Sequence, residues 1–122
     1  LIFIENKYVN LTIIDKSNKR TLNNLGQRIR EVRENQQILL RQVAAYLEVD
    51  TALISKAERG ERSLNREQVV KLAIFLKGSE EELISLWLCD KIISVVGNDN
   101  YAIQGTQKAL KIIKKKLINE CN

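Results

Sequence analysis

The run from Ile38 to Gly60, ILLRQVAAYLEVDTALISKAERG, leaves little freedom in how it can fold. Val43 and Leu47 are four residues apart, the spacing that places two side chains on one face of a helix. Val49 then breaks the pattern, Asp50 is of a type that starts helices, and Ile54 and Ala57 resume helical spacing. Gly60, just past the last apolar position, supplies a stop. The pattern encodes two short helices that cross at a tight corner filled by Val49. Ala44 marks the point where the second helix passes closest to the first, because only a small side chain leaves room there.

Two helices joined in this way form a helix-turn-helix, a motif whose second helix has the right width for the major groove of DNA. The segment from Leu25 to about Leu83 resembles the Cro/cI-type helix-turn-helix family, also called the xenobiotic-response-element type. LGQRIREVRENQ is similar to its first helix and LLRQVAAYLEV to its second. DTALISKAERGER resembles the recognition helix and its exit, and LNREQVVKLAIFLKGSEEEL the two helices that close the domain. The run ISKAERG followed by a helix carrying VVKLA is more specific than a bare helix-turn-helix pattern. The resemblance covers about half the chain. It implies binding of operator DNA, regulation of transcription and, often, a dimer. Two positions depart from the family pattern. Glu48 occupies the corner where a glycine is usual, and a Cβ in the left-handed region costs roughly 1–2 kcal/mol. Leu40 stands where a glutamine often touches the DNA backbone and braces the recognition helix, a role leucine cannot fill.

Around this centre the spacing predicts four more helices. The first runs from about Asn24, as N-cap, to Asn35, with Leu25, Ile29 and Val32 along one stripe. Arg28, Arg30 and Arg33 lie largely off that stripe; a solvated face is the default expectation, with phosphate contact or pairing with Glu58 as alternatives. The fourth starts after Asn65, turns Val69, Leu72, Ala73 and Leu76 inward, and ends at Gly78. Ser79 with Glu82 is a capping box for a fifth helix, whose stretch from Leu83 to Val96 is apolar almost all round. Such a helix needs cover on more than one side. Gly97 to Asn100 is a turn, and a last helix rich in lysine runs from about Tyr101 to Ile118, with fraying expected near Gly105. Its Ile103, Leu110, Ile113 and Leu117 mark one face. The expected architecture is all-α: a five-helix Cro/cI-like domain with an additional basic C-terminal helix and a loose N-terminal arm. Residues 1–24 form the arm, 25–78 the DNA-binding domain, and 79–122 a helical extension for dimerisation.

A helical wheel turns Thr51, Ala52, Ser55, Lys56 and Arg59 outward from the recognition helix, where they would meet the groove. Threonine hydrogen-bonds or touches a thymine methyl, alanine offers apolar contact, and Lys56 reaches a guanine edge or a phosphate. Arg59, Arg62 and Arg41 suit phosphates, which a guanidinium grips bidentately. The first turn lacks Asn, Gln and Arg, so sequence preference is expected to be modest or to lean on DNA shape. The candidates for dimerisation are Trp87, Leu88, Ile92, Val96, Leu110, Ile113 and Leu117. The lysines of KALKIIKKK read first as the solvated face of a packing helix, and second as a further nucleic-acid contact without stacking aromatics.

Twenty basic against fifteen acidic residues give a net charge of +5, which suits a polyanionic partner. The block from Gly78 to Tyr101 is net acidic, which argues against a chain that simply coats nucleic acid. Histidine is absent, and Cys89 and Cys121 have no CxxC partner, so neither a zinc site nor a catalytic thiol is expected. No glycine-rich phosphate loop is present, and no enzyme activity or cofactor is expected. Two reduced thiols and the lack of a ~20-residue apolar run fit a cytoplasmic protein off the membrane. The expected partners are double-stranded DNA and a second copy of the chain, plus a toxin protein if the protein is an antitoxin. A phage-type repressor, a controller of a restriction-modification operon and an antitoxin remain open. The alternative in another class is a protein-interaction module on this scaffold, with Leu39, Leu40 and Leu53 as exposed apolar residues.

The chain contains no methionine, even at position 1. Processing, an alternative start, or a sequence that begins upstream of the true start would each explain this, and the last is the expectation. A chain that starts near Asn23 should therefore keep its melting temperature and its DNA affinity. A large drop in melting temperature on truncation would show instead that the arm packs on the core.

Overall fold

Asn23 opens the first helix. The computed structural model describes residues 23–121; the expected arm, up to residue 22, lies outside the described residues. Six helices follow: α1 (Asn24–Asn35), α2 (Leu40–Leu47), α3 (Thr51–Glu58), α4 (Arg66–Phe75), α5 (Glu80–Val96) and α6 (Ala102–Cys121). No strand occurs among the described residues. The all-α expectation holds. The chain divides within α5 into a first unit ending at Lys91 and a second beginning at Ile92.

The cap of α1 falls one residue earlier than expected. Asn23 Oδ1 accepts from the Gly26 N–H at 3.0 Å. The N–H groups of Asn24 and Leu25 donate instead to the Asp90 carboxylate on α5, at 3.2 and 3.0 Å. A carboxylate at this end of a helix meets the positive pole of the backbone dipole, which favours the docking of α5 onto α1. Asp50 stands at the N-cap position of α3 but makes no side-chain cap bond. At α5, Ser79 Oγ accepts from the Glu82 N–H at 3.1 Å, while the Glu82 carboxylate pairs with Arg28.

Four successive helices leave by the same backbone turn. At α2 the N–H of Val49 donates to the Ala44 carbonyl and that of Glu48 to Ala45, at 3.0 and 3.2 Å. At α3 Glu61 donates to Lys56 and Gly60 to Ala57, at 2.9 and 3.1 Å. The exits of α1 and α4 repeat the pattern through Gln37 and Lys77. This pair of bonds requires one residue in the left-handed region. Those residues are Gln37, Glu48, Gly60 and Lys77, with φ of 57°, 58°, 80° and 54°. Glu48 thus adopts the conformation that makes glycine usual at this corner. At the end of α4 the strained residue is Lys77, not the expected Gly78.

The core of the first unit gathers the apolar stripes of all its helices. Ile29, Val43, Ile54, Val69, Leu72 and Leu76 are fully buried, each contributing roughly 1.5–3 kcal/mol by leaving water. Ala44 on α2 and Ala57 on α3 are buried, and Leu83 and Ile84 bring in α5. Leu64, which lies in the connection before α4, is buried with them. Leu40 is half-buried and packs against this core, so it is not the free apolar contact considered for a partner surface. Trp87 also packs there, and its indole N–H donates to the Leu64 carbonyl at 2.7 Å.

One charged pair lies inside this apolar setting. Arg33 donates from Nε and a terminal nitrogen to the two carboxylate oxygens of Glu58, at 2.7 and 3.0 Å. Its other terminal nitrogen donates to the Ile38 carbonyl at 2.9 Å. The side chains are only 10% and 6% exposed. Arg33 is therefore no solvated surface group. Arg30 is, pairing with Glu34 on the exposed face of α1; that bond holds the Glu34 carboxyl below its ordinary range.

In the second unit α6 is continuous through Gly105, whose N–H donates to the Tyr101 carbonyl at 2.9 Å, so the expected fraying is not seen. Gly97 is left-handed at the end of α5, and Asp99 Oδ1 accepts from the Tyr101 N–H at 2.8 Å in the turn beyond it.

Removing one partner of a buried, hydrogen-bonded pair strands the other charge, at a cost of about 3–5 kcal/mol. Arg33→Met and Glu58→Leu should each lower unfolding free energy by that amount. The double variant should recover most of the loss, read by urea denaturation. Additive losses would show that the two side chains act independently.

Candidate nucleic-acid interface

The position of α3 is set from its inward side and from its end. Ile54 and Ala57 are buried, and Glu58 is held by Arg33. The Asn23 amide donates to the carbonyls of Ala57 and Glu58 at 3.3 and 2.7 Å. One asparagine side chain therefore closes the start of α1 and the end of α3 together. The approach is tight enough that a Cβ on Gly26 would lie 2.5 Å from the Ala57 carbonyl oxygen. With its inner face locked in this way, α3 has its outward face determined.

Thr51, Ala52, Lys56 and Arg59 are exposed on that face, and Ser55 is half-exposed. Beside it lies an open hollow of about 630 Å³, lined by Ala45, Glu48, Asp50, Ala52, Lys56 and Arg62 among others. Of the expected DNA contacts, the hollow brings together Ala52, Lys56 and Arg62. It also adds two carboxylates that sequence reasoning does not place there. The local pattern marks Glu48 only as a corner residue and Asp50 only as a cap.

The candidate cations fall into two groups. Arg41, Lys56 and Arg62 are exposed and make no ion pair with another described residue. Their charge is available to a polyanion. Arg59 is already engaged: Glu61 accepts from two of its nitrogens at 3.0 and 3.1 Å, and the third donates to Ser55 Oγ. A phosphate would have to displace a carboxylate to reach it. At the start of α2, Leu39 N–H donates to Gln42 Oε1 at 2.7 Å, and Leu40 turns toward the core. No polar side chain at position 40 braces the recognition helix.

The residues proposed for self-association divide as well. Trp87 is accounted for inside the first unit, with Lys91 Nζ 4.4 Å above its ring. Leu88 and Ile92 are 44% and 48% exposed, and Val96 is half-buried. On α6, Leu110, Ile113 and Leu117 are 50%, 52% and 57% exposed. Burial and the neighbouring Asp90 push the Cys89 thiol above its ordinary value, so it is protonated at neutral pH and a poor nucleophile. Among the described residues no cluster of His, Cys, Asp and Glu has the makings of a metal site, and no helix is long and apolar enough to cross a membrane.

Residues 29–83, which span most of α1 through the start of α5, match the family model described as Helix-turn-helix. The matched segment lies within the one whose residues resemble the Cro/cI-type helix-turn-helix family. Its fold is similar to that of the clp gene regulator ClgR from Corynebacterium glutamicum, at 21% identity and a TM-score of 0.50. That match covers 75% of this chain and 86% of the other. A search of the curated proteins gave no match.

Proposed function

We propose that the protein binds an operator in double-stranded DNA as a homodimer and represses or tunes transcription by occupying DNA that polymerase needs. The observation that supports this reading is the outward face of α3, where exposed Lys56 and Ala52 share a hollow with Arg62, and both cations are without an ion pair among the described residues. Thr51 and Ala52 begin α3, the end that meets base edges in this docking mode. Lys56 lies one turn further on, Arg62 shares the hollow with it, and Arg41, exposed on α2, is a further candidate for the phosphates. Binding of this kind needs no cofactor and no catalytic step, and the protein acts in the cytoplasm.

Self-association is argued from α6. Ile103, Leu110, Ile113 and Leu117 repeat at intervals of seven, three and four residues, the seam of a coiled coil. All four are half or more exposed, and water contact at four such side chains favours burial against a second copy. On α5, Leu88, Ile92 and Val96 are further apolar candidates. Two heads related by a two-fold axis would meet half-sites about one helical turn, ~34 Å, apart.

Selection from a random duplex pool should yield a preferred site of two related halves. Lys56→Ala should then weaken that site by about 1–3 kcal/mol with little effect on unrelated DNA. Arg62→Ala should weaken all sequences alike and flatten the dependence of affinity on salt. Unchanged affinity in both variants, with the fold intact, would remove the DNA assignment.

Sedimentation at micromolar concentration should give twice the 14.0 kDa chain mass. Replacing Leu110 and Ile113 together by Asp should return the monomer and cost operator binding, while the reading head stays folded. A monomer in the unaltered protein, free and on DNA, would overturn the dimer.

A further inference from the structure

Ser55, Arg59 and Glu61 form a chain of hydrogen bonds along the outward side of α3 and its exit. The polarity of each link is fixed by chemistry. A guanidinium only donates, a carboxylate only accepts, and a hydroxyl has one proton and two lone pairs. Glu61 grips Arg59 side-on, through Nε and one terminal nitrogen at 3.0 and 3.1 Å. That contact sets the plane of the guanidinium and leaves the remaining terminal nitrogen to project from its other edge. This nitrogen donates to Ser55 Oγ, one helical turn back on the same face.

Arg59 therefore occupies a lone pair of Ser55 and leaves the hydroxyl proton to be directed elsewhere. Among the described residues that proton meets no protein acceptor. Ser55 is half-exposed and adjoins Lys56 on the face turned to the groove. We propose that Arg59 and Glu61 are positioning residues that fix Ser55 as a hydrogen-bond donor, so that Ser55 selects a base edge presenting an acceptor. The acceptors in the major groove are N7 of either purine, guanine O6 and thymine O4; the cytosine and adenine amino groups are donors and are disfavoured. An unconstrained serine turns its hydroxyl to suit donors and acceptors alike, and reads neither. The inference rests on the DNA-binding reading above. It also changes the part expected of Arg59, whose charge is matched by Glu61 and adds little to phosphate binding.

The test uses the full chain, its selected duplex and every single-base-pair variant of that duplex. Tighter binding of the selected duplex than of scrambled DNA by the unaltered protein establishes the DNA reading, whatever the variants do. Ser55→Ala should lose roughly three- to tenfold of discrimination at one base pair, the worth of a single hydrogen bond. Arg59→Ala and Glu61→Gln should lose it at the same base pair, and the Ser55→Ala/Arg59→Ala double variant should lose no more than either alone. Arg59→Ala should leave the salt dependence as in the unaltered protein. A salt slope shallower by about 0.9 with all duplexes weakened alike would make Arg59 a phosphate contact and overturn the proposal. So would a Ser55→Ala protein with every base preference intact, or preferences that depend on Ser55 but survive loss of Arg59.

Discussion

The Arg33–Glu58 pair is the constraint on which the reading head depends. Arg33 lies in the last turn of α1, Glu58 ends α3, and the same guanidinium reaches the Ile38 carbonyl just before α2. Three elements are thus tied at one buried charge. An apolar contact at that place would tolerate a small rotation of α3, since packing is not directional. A side-on guanidinium with both carboxylate oxygens engaged does not, because any rotation would leave a charge without its partner in a low-dielectric setting. Asn23 repeats the restraint one step away, through backbone carbonyls in place of charge. The outward face of α3 is consequently defined by what holds its inner face.

Much of this is legible in the residues. The stripes of Leu25 and Ile29, Val43 and Leu47, and Val69, Leu72 and Leu76 are all core, because helical periodicity reports burial directly. What escapes the sequence depends on contacts far apart along the chain. Nothing in the neighbourhood of Asp90 marks it as the cap of a helix that begins sixty-odd residues earlier. Asn23 reads only as part of the N-terminal arm, since its two carbonyl partners lie on another helix. Pairing with Glu58 is one alternative the sequence leaves open for the arginines of α1, and Arg33 is the one that turns inward to take it. Leu64 carries no periodic signal, being in a connection, but it is buried and receives the Trp87 indole.

At the candidate site, sequence reasoning identifies which residues face outward but not which of them are already engaged. Exposure follows from helical geometry, whereas the hold of Glu61 on Arg59 depends on how the chain turns after Gly60. The same turn sets Arg59 apart from Arg62, which keeps its charge free among the described residues. Two arginines three positions apart thereby take different parts. Glu48 and Asp50 show a similar limit: each has a local structural role, and the fold places both on the rim of the hollow beside Lys56 and Arg62.

The shared turn at four helix ends has a consequence for adaptation. Its hydrogen bonds use backbone groups alone, so the side chain at the left-handed position adds strain and takes no part in closing the turn. Glu48 is bound to its place by lining the hollow, and Gly60 is already unstrained. Gln37 and Lys77 are exposed and belong to neither the hollow nor the core. At these two corners a lineage could trade one residue for asparagine or glycine and shift its tolerance of heat without touching the outward face of α3. Resistance to temperature and the chemistry of that face can drift independently in this scaffold.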